Sequence, residues 1–143
     1  TTEEHLDTAF AVNLKAPFVL AQAVAPGMRA RGFGRIVNIG DVAGLEPWPR
    51  FTAHCVAKAG LVMLTKALAQ ELAPEITVNA IAPGPVLMPD DSSEAAIERS
   101  RRKTVLGRLG SPDDVAGALA YLIGAAYVTG HTLVVDGGRL VRP

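Results

Sequence analysis

One cysteine, Cys55, is all the chain contains. That excludes an internal disulfide framework and a multi-cysteine metal site. Aromatic residues make up only 5% of the sequence, charged residues 20%, and the formal net charge is zero. A strong basic excess is the footprint of nucleic-acid binding, so nothing here calls for nucleic acid as a partner. No apolar run reaches the roughly 18 residues that a membrane span needs, and no signal-peptide pattern opens the chain. Internal repeats and low-complexity tracts are missing too. What is present is apolar: 49% of 143 residues, enough for a packed core and against intrinsic disorder. The length suits one domain rather than two. The expectation is a single soluble, cytoplasmic domain that engages neither nucleic acid nor membrane.

Hydrophobic spacing orders the rest. Residues 1–32 read as a helix, with Thr1 and Glu4 as its capping box and Gly32 and Gly34 as its stop. Arg35–Gly40 is a short β-branched run between glycines, hence a buried strand. A Gly- and Pro-rich loop covers 41–51. Residues 52–73 read as a second long helix, apolar on more than one face (Val56, Leu61, Met63, Leu64, Leu68, Leu72), which predicts burial on both sides or a place at an interface. Thr77–Ala82 is a second strand, stopped by Pro83-Gly84. Residues 93–103 form a polar helix, in which Arg99, Arg101, Arg102 and Lys103 interleave with Glu98 and Ser100 as a solvent-facing surface. Ser111-Pro112-Asp113-Asp114 is a strong helix start, and Thr132–Asp136 is a third strand. Uninterrupted apolar strands separated by helices predict a parallel sheet covered on both faces. The first strand should show an apolar edge unless another strand covers it. His5 and His131 lack metal spacing, and Asp41, Asp90 and Asp91 read as solvated loop positions, so no metal is expected.

Six segments, in order, cover nearly the whole chain: Asn13-Leu-Lys-Ala-Pro-Phe18, Gly34-Arg-Ile-Val-Asn-Ile39, Ala57-Lys-Ala-Gly60, Val78-Asn-Ala-Ile-Ala-Pro-Gly84, Gly110-Ser-Pro-Asp-Asp-Val115, and Tyr127-Val-Thr-Gly130 with Val135-Asp-Gly-Gly138. Together they resemble the C-terminal portion of a short-chain dehydrogenase/reductase. The segment Pro83–Asp91 looks closest to the pteridine-reductase-like branch. The resemblance implies an α/β, three-layer Rossmann-like parallel sheet, here its C-terminal half with about three strands. Family members begin with a βαβ unit whose Gly-rich turn holds the cofactor pyrophosphate at a helix N-terminus. No such glycine cluster lies in residues 1–143, and the Asn-Asn-Ala-Gly strand that precedes the first helix in the family is not found either. The chain is therefore expected to be one partial Rossmann-type domain without that N-terminal unit.

The family reduces carbonyls or imines, or oxidises alcohols, with NAD or NADP. The resemblance assigns four catalytic positions: a proton-donating tyrosine, a lysine four residues later that tunes it and holds the ribose, a serine thirteen residues before it, and an asparagine on the preceding helix that orders a relay water. Here the lysine is Lys58 and the asparagine Asn13, whereas His54 stands at the tyrosine position and Asp41 at the serine position. Asn13 also has a reading of its own. Pro17, four residues on, has no N–H, so the Asn13 carbonyl loses its helical partner; it either holds a water or the proline simply kinks the helix. Lys58 is a ribose ligand or a snorkelling surface lysine. His54 could act as general acid with Asp41 favouring its charged form. Against that, an imidazole is shorter than a phenol, and an ionised Asp41 would repel the oxyanion a serine stabilises, so an inherited but disabled site is the other reading. Losing one such donor costs about 3–4 kcal/mol. Pro83, Gly84 and Val86 match the turn that meets the nicotinamide in relatives, or form an ordinary strand-ending turn; Met88 stands where many relatives have threonine. Cys55 is adjacent to His54, but neighbouring helix positions diverge by about 100°, which argues against a dyad.

Two functions follow. One is hydride-transfer oxidoreduction on a small carbonyl or alcohol substrate; the absent Gly-rich unit counts against catalysis by this chain alone. The other is a non-catalytic descendant or fragment that acts as an oligomerisation module, since in relatives the helices corresponding to 1–32 and 52–73 pack into a homo-oligomer.

Overall fold

The computed structural model describes residues 1–142. The chain runs α1 (Glu3–Phe10), a π-helical turn (Ala11–Lys15), α2 (Ala16–Ala30), β1 (Gly34–Ile39), a 3-10 turn (Val42–Gly44), α3 (Thr52–Leu72), β2 (Ile76–Pro83), α4 (Glu94–Arg102), α5 (Pro112–Gly124), β3 (Thr132–Val135) and a final 3-10 turn (Arg139–Val141). This is the element order expected from the sequence. The strands form one parallel sheet in the order β1-β2-β3.

β2 reads as a continuous β-branched and alanine run because both its faces are covered; every residue from Ile76 to Ala82 is buried. Side chains alternate along a strand. Ile76 and Val78 join Ala21 and Ala25 of α2 and Leu68, Ala69 and Leu72 of α3 in one apolar cluster. The small alanines let the two helices sit close to the sheet. The intervening residues face α5: Arg35 Nε donates to the Ile123 carbonyl at 3.2 Å, and Leu122 is fully buried. The three-layer α/β arrangement is thus present. β1 has no strand against its second edge among the described residues, and Ile39 at its end is half exposed.

Two local features depart from expectation. The first helix is capped by Thr2, not Thr1. Thr2 is the last extended residue; its Oγ1 accepts the His5 N–H at 3.3 Å, and its own N–H donates to His5 Nδ1 at 3.3 Å. The Nδ1 of His5 is engaged there. Second, the predicted single helix is interrupted by the π turn, where the Ala16 N–H reaches back to the Ala11 carbonyl. Pro17 has no N–H to give to Asn13, so the ladder at this point is already short of a bond, and the wider turn accommodates it.

The segment Glu3–Ala30 is long and apolar enough to cross a bilayer by length and composition alone. Counting uninterrupted apolar runs in the sequence overlooked it, because Asn13, Lys15 and Gln22 punctuate the segment without making it polar. In the fold, Ala21 and Ala25 of this segment pack into the sheet-side core.

The α5 start behaves as the sequence predicts. Ser111 and Asp114 form a reciprocal capping box, and the Arg108 guanidinium together with the Ser111 N–H and hydroxyl holds Asp114 well below the usual carboxylate range. On α4, hydrogen bonds from Arg101 and Arg102 draw the Glu98 carboxyl from 4.5 down to about 2. A carboxyl lowered in the folded state adds stability above its unfolded pKa and loses it as pH falls through the folded one. The pairs of Glu98 should therefore persist at pH 4 and break between there and about pH 2. Carboxyl-carbon NMR shifts of Glu98 followed across that range check this. Because the group is at the surface, the change in overall stability should be small.

Candidate active site

In a parallel sheet all strands end on the same side, and ligands of open α/β sheets bind beyond those carboxyl ends. The carboxyl end of β1 delivers Asp41, and that of β2 delivers Pro83, Gly84 and Val86. α3 starts at the same edge and carries His54 and Lys58 one turn apart, on one face.

Asp41 is fixed by the turn it begins. Its Oδ1 accepts the Ala43 N–H at 2.7 Å, and its carbonyl accepts the Gly44 N–H at 3.0 Å. That leaves Oδ2, which lies 3.3 Å from His54 Nε2. Both side chains are about one-third exposed, at 28% and 34%. Lys58 Nζ donates to the Ile39 carbonyl at 3.0 Å. Burial pushes the Lys58 ammonium below its ordinary pKa, and the negative charge of Asp41 opposes that shift in part. Asp41, His54 and Lys58 are thus one electrostatic group.

The close approach of the turn to α3 depends on Gly44. A Cβ there would sit 2.8 Å from the Lys58 carbonyl carbon and 2.9 Å from its oxygen. These are backbone atoms of a helix and cannot swing aside. Gly44→Ala should cost about 1–3 kcal/mol and move Asp41 away from His54. Thermal unfolding measures the first effect, and the His54 ring shifts in NMR report the second.

Asn13 stands apart. Its Nδ2 donates to the Ala9 carbonyl at 3.1 Å, within its own helix, so its side chain serves the π turn. Pro83–Val86 is locked in place: the Gly84 N–H donates to the Val135 carbonyl at 2.9 Å, and the Gly110 N–H to the Pro85 carbonyl at 3.0 Å. A side chain on Gly84 would meet the Asp136 backbone at 2.7 Å, so this turn is pressed against β3.

A nicotinamide cofactor can be tested against these groups. An ammonium has three donors, and Lys58 spends one on Ile39, which leaves two for ribose hydroxyls. The donor set fits the nicotinamide–ribose end. A Gly-rich turn for the pyrophosphate is not found among residues 1–142.

Sequence reasoning missed three supports. Asn38 Nδ2 donates to Thr65 Oγ1 at 2.9 Å, tying β1 to α3. The Trp48 N–H donates to Cys55 Sγ at 3.3 Å, which pins the loop that joins Asp41 to His54 and gives the buried cysteine a structural part. Asn79, 1% exposed, donates to the Val128 carbonyl at 2.8 Å and accepts the His131 N–H at 3.0 Å. A polar residue inside an apolar strand run was the available signal for Asn79.

The parallel sheet, its two helical layers and the lysine-bearing helix at the carboxyl edge define a Rossmann-like α/β domain. Residues 1–139 match a family model described as enoyl-(acyl carrier protein) reductase. The chain is 40% identical to the 3-oxoacyl-[acyl-carrier-protein] reductase FabG of Rickettsia felis, over 97% of this chain and 60% of that protein. It is also 40% identical to human dehydrogenase/reductase SDR family member 4, over 99% of this chain and 53% of that protein. Among solved structures, a gluconate 5-dehydrogenase from Burkholderia cenocepacia in complex with NADP and tartrate superposes with a TM-score of 0.93 at 31% identity, over all of this chain and 59% of that one. A 4-hydroxyisoleucine dehydrogenase complexed with NADH gives 0.93 at 32%, over 99% and 62%. The chain belongs to the short-chain dehydrogenase/reductase family, and the two solved structures hold NADP and NADH respectively. It spans 53–60% of the length of these two curated relatives.

Proposed function

We propose that this chain carries the acid–base half of an NAD- or NADP-dependent oxidoreductase that interconverts a small carbonyl compound and its alcohol, with His54 as the proton donor. The observation that carries the reading is the 3.3 Å contact between His54 Nε2 and Asp41 Oδ2 beside Lys58. The cofactor, when bound, supplies or takes up the hydride at the substrate carbon. With Nε2 turned to Asp41, Nδ1 is the nitrogen left to give a proton to the carbonyl oxygen, and the neutral ring regains one from solvent. Asp41 offsets the imidazolium charge, while Lys58 holds the ribose and keeps a positive charge near the developing alkoxide. Asn13 in the π turn orients the helix behind the site. Pro83, Gly84 and Val86 border the nicotinamide.

This role requires a pyrophosphate-binding Gly-rich unit, supplied with the chain rather than by it. Titration with NADH and NADPH, alone and with Asp41→Ser plus His54→Tyr, tests the reading. The expected result is weak or absent cofactor binding by residues 1–143 alone. Joined to a Gly-rich unit, the unaltered chain should turn over. Turnover only after the double replacement would show that Asp41 and His54 disable the site.

A second reading rests on a different observation. Val12 in the π turn, Leu20 on α2, and Val56 and Met63 on α3 are exposed, which supports homo-oligomerisation through these helices with or without catalysis.

A further inference from the structure

We propose that a basic recess between α4 and the C-terminal turn binds a small phosphoryl anion carrying two or more negative charges. The recess measures about 400 Å³ and is lined by Arg99, Arg102, Lys103, Arg139, Arg142 and Glu46. Five cations thus meet one acid in a chain whose basic and acidic residues are equal in number, 14 and 14. The concentration is local and does not reflect overall composition.

The sequence alone makes the α4 cluster a solvent-facing surface. The fold keeps that surface open to solvent and sets Arg139 and Arg142 beside it. Arg99, Arg102 and Lys103 fall at i, i+3 and i+4, on one face, where like charges repel. The helix dipole favours cations at a C-terminus, but it does not explain Arg139 and Arg142, which arrive from the other end of the domain. Internal pairing is thin. Glu98 divides its carboxylate between Arg101 and Arg102. Arg142 Nη1 donates to the Thr104 carbonyl at 3.3 Å. Arg139 lies over the Trp48 ring at 4.6 Å, and its Nε is buried with no hydrogen-bond partner among the described residues. Stacking on Trp48 fixes that guanidinium in advance of any ligand, which lowers the entropy lost on binding.

Arginine forks match phosphoryl oxygens, and a phosphate monoester carries close to two charges at neutral pH. A recess of this size lies within the range of small-ligand sites. The site is distinct in residues from Asp41, His54 and Lys58, so it stands whether or not His54 is catalytic. The anion can be part of a substrate or a free effector, and the two sources leave different kinetic traces.

The probe is inorganic pyrophosphate, titrated calorimetrically into the full protein at constant ionic strength, with citrate as a carboxylate of similar charge. Expected are saturable one-to-one binding, at least tenfold weaker binding in Arg99→Gln/Lys103→Gln, and an unchanged unfolding midpoint in that variant, since both side chains are exposed. Where a carbonyl substrate is turned over, competitive inhibition by pyrophosphate assigns the recess to the substrate, and non-competitive inhibition to an effector. Binding that does not saturate, that the double replacement leaves unchanged, or that citrate matches in affinity overturns the proposal.

Discussion

Asn79→Leu is expected to lower the unfolding free energy by about 2–6 kcal/mol, from the cost of about 1–3 kcal/mol for each of the two backbone groups left without a partner. Leucine keeps asparagine's branching and number of side-chain heavy atoms, though its methyl groups are bulkier than O and NH2. What is lost is the two side-chain hydrogen bonds from Asn79 to the segment before β3: the Val128 carbonyl at 2.8 Å and the His131 N–H at 3.0 Å. Asn79 is 1% exposed, so water cannot readily replace the side chain. Small domains have only about 5–15 kcal/mol of stability, which makes this a large fraction. Denaturant unfolding at unchanged m-value measures it. Asn79→Asp should also be costly, because a carboxylate cannot donate to Val128, and its charge would be buried. A loss under about 0.5 kcal/mol in Asn79→Leu would mean that the segment relaxes around β2.

Asn79 also shows why the sequence disclosed the elements better than their fastenings. β2 announces itself through composition, and α5 through Ser111-Pro112-Asp113-Asp114, because each signal lies within a few residues. The Asn79 bonds span 49 and 52 positions, and nothing local marks such partners. The same holds for Asn38 with Thr65 and for Arg139 over Trp48. At the candidate site, the thirteen-residue separation of Asp41 and His54 suggested a pair only through the family resemblance; the 3.3 Å contact needed the turn at Gly44. Asn13 was singled out for the carbonyl that Pro17 frees. The fold answers with a π turn and with a side chain bonded to Ala9, a backbone adjustment that propensity does not encode. α3 was expected to be buried on both sides or to form an interface. Its Leu61 and Leu68 are buried while Val56 and Met63 stay open to solvent, so within residues 1–142 the helix is covered on one side only.

The larger effect belongs to His54→Phe. In a protein that holds cofactor, it should reduce the rate of carbonyl reduction by about 10²–10⁴, the contribution of a positioned general acid, with cofactor affinity unchanged. Phenylalanine keeps a planar ring at a site that is only partly buried, and among the described residues the His54 side chain makes no backbone hydrogen bond, so α3 has no reason to unfold. The ring nitrogens alone are removed. Asp41→Asn separates the parts of the pair: it keeps the Oδ1 bond to the Ala43 N–H and removes the charge that faces both His54 and Lys58. If Asp41 steadies an imidazolium, Asp41→Asn should slow reduction. If instead Asp41 repels the developing oxyanion, the same change should accelerate the reaction. Single-turnover hydride transfer, followed by the loss of reduced-nicotinamide absorbance, separates these outcomes from product release. Equal rates in the unaltered protein and His54→Phe would remove His54 from the chemistry and leave Lys58 as the family's inheritance at this edge of the sheet.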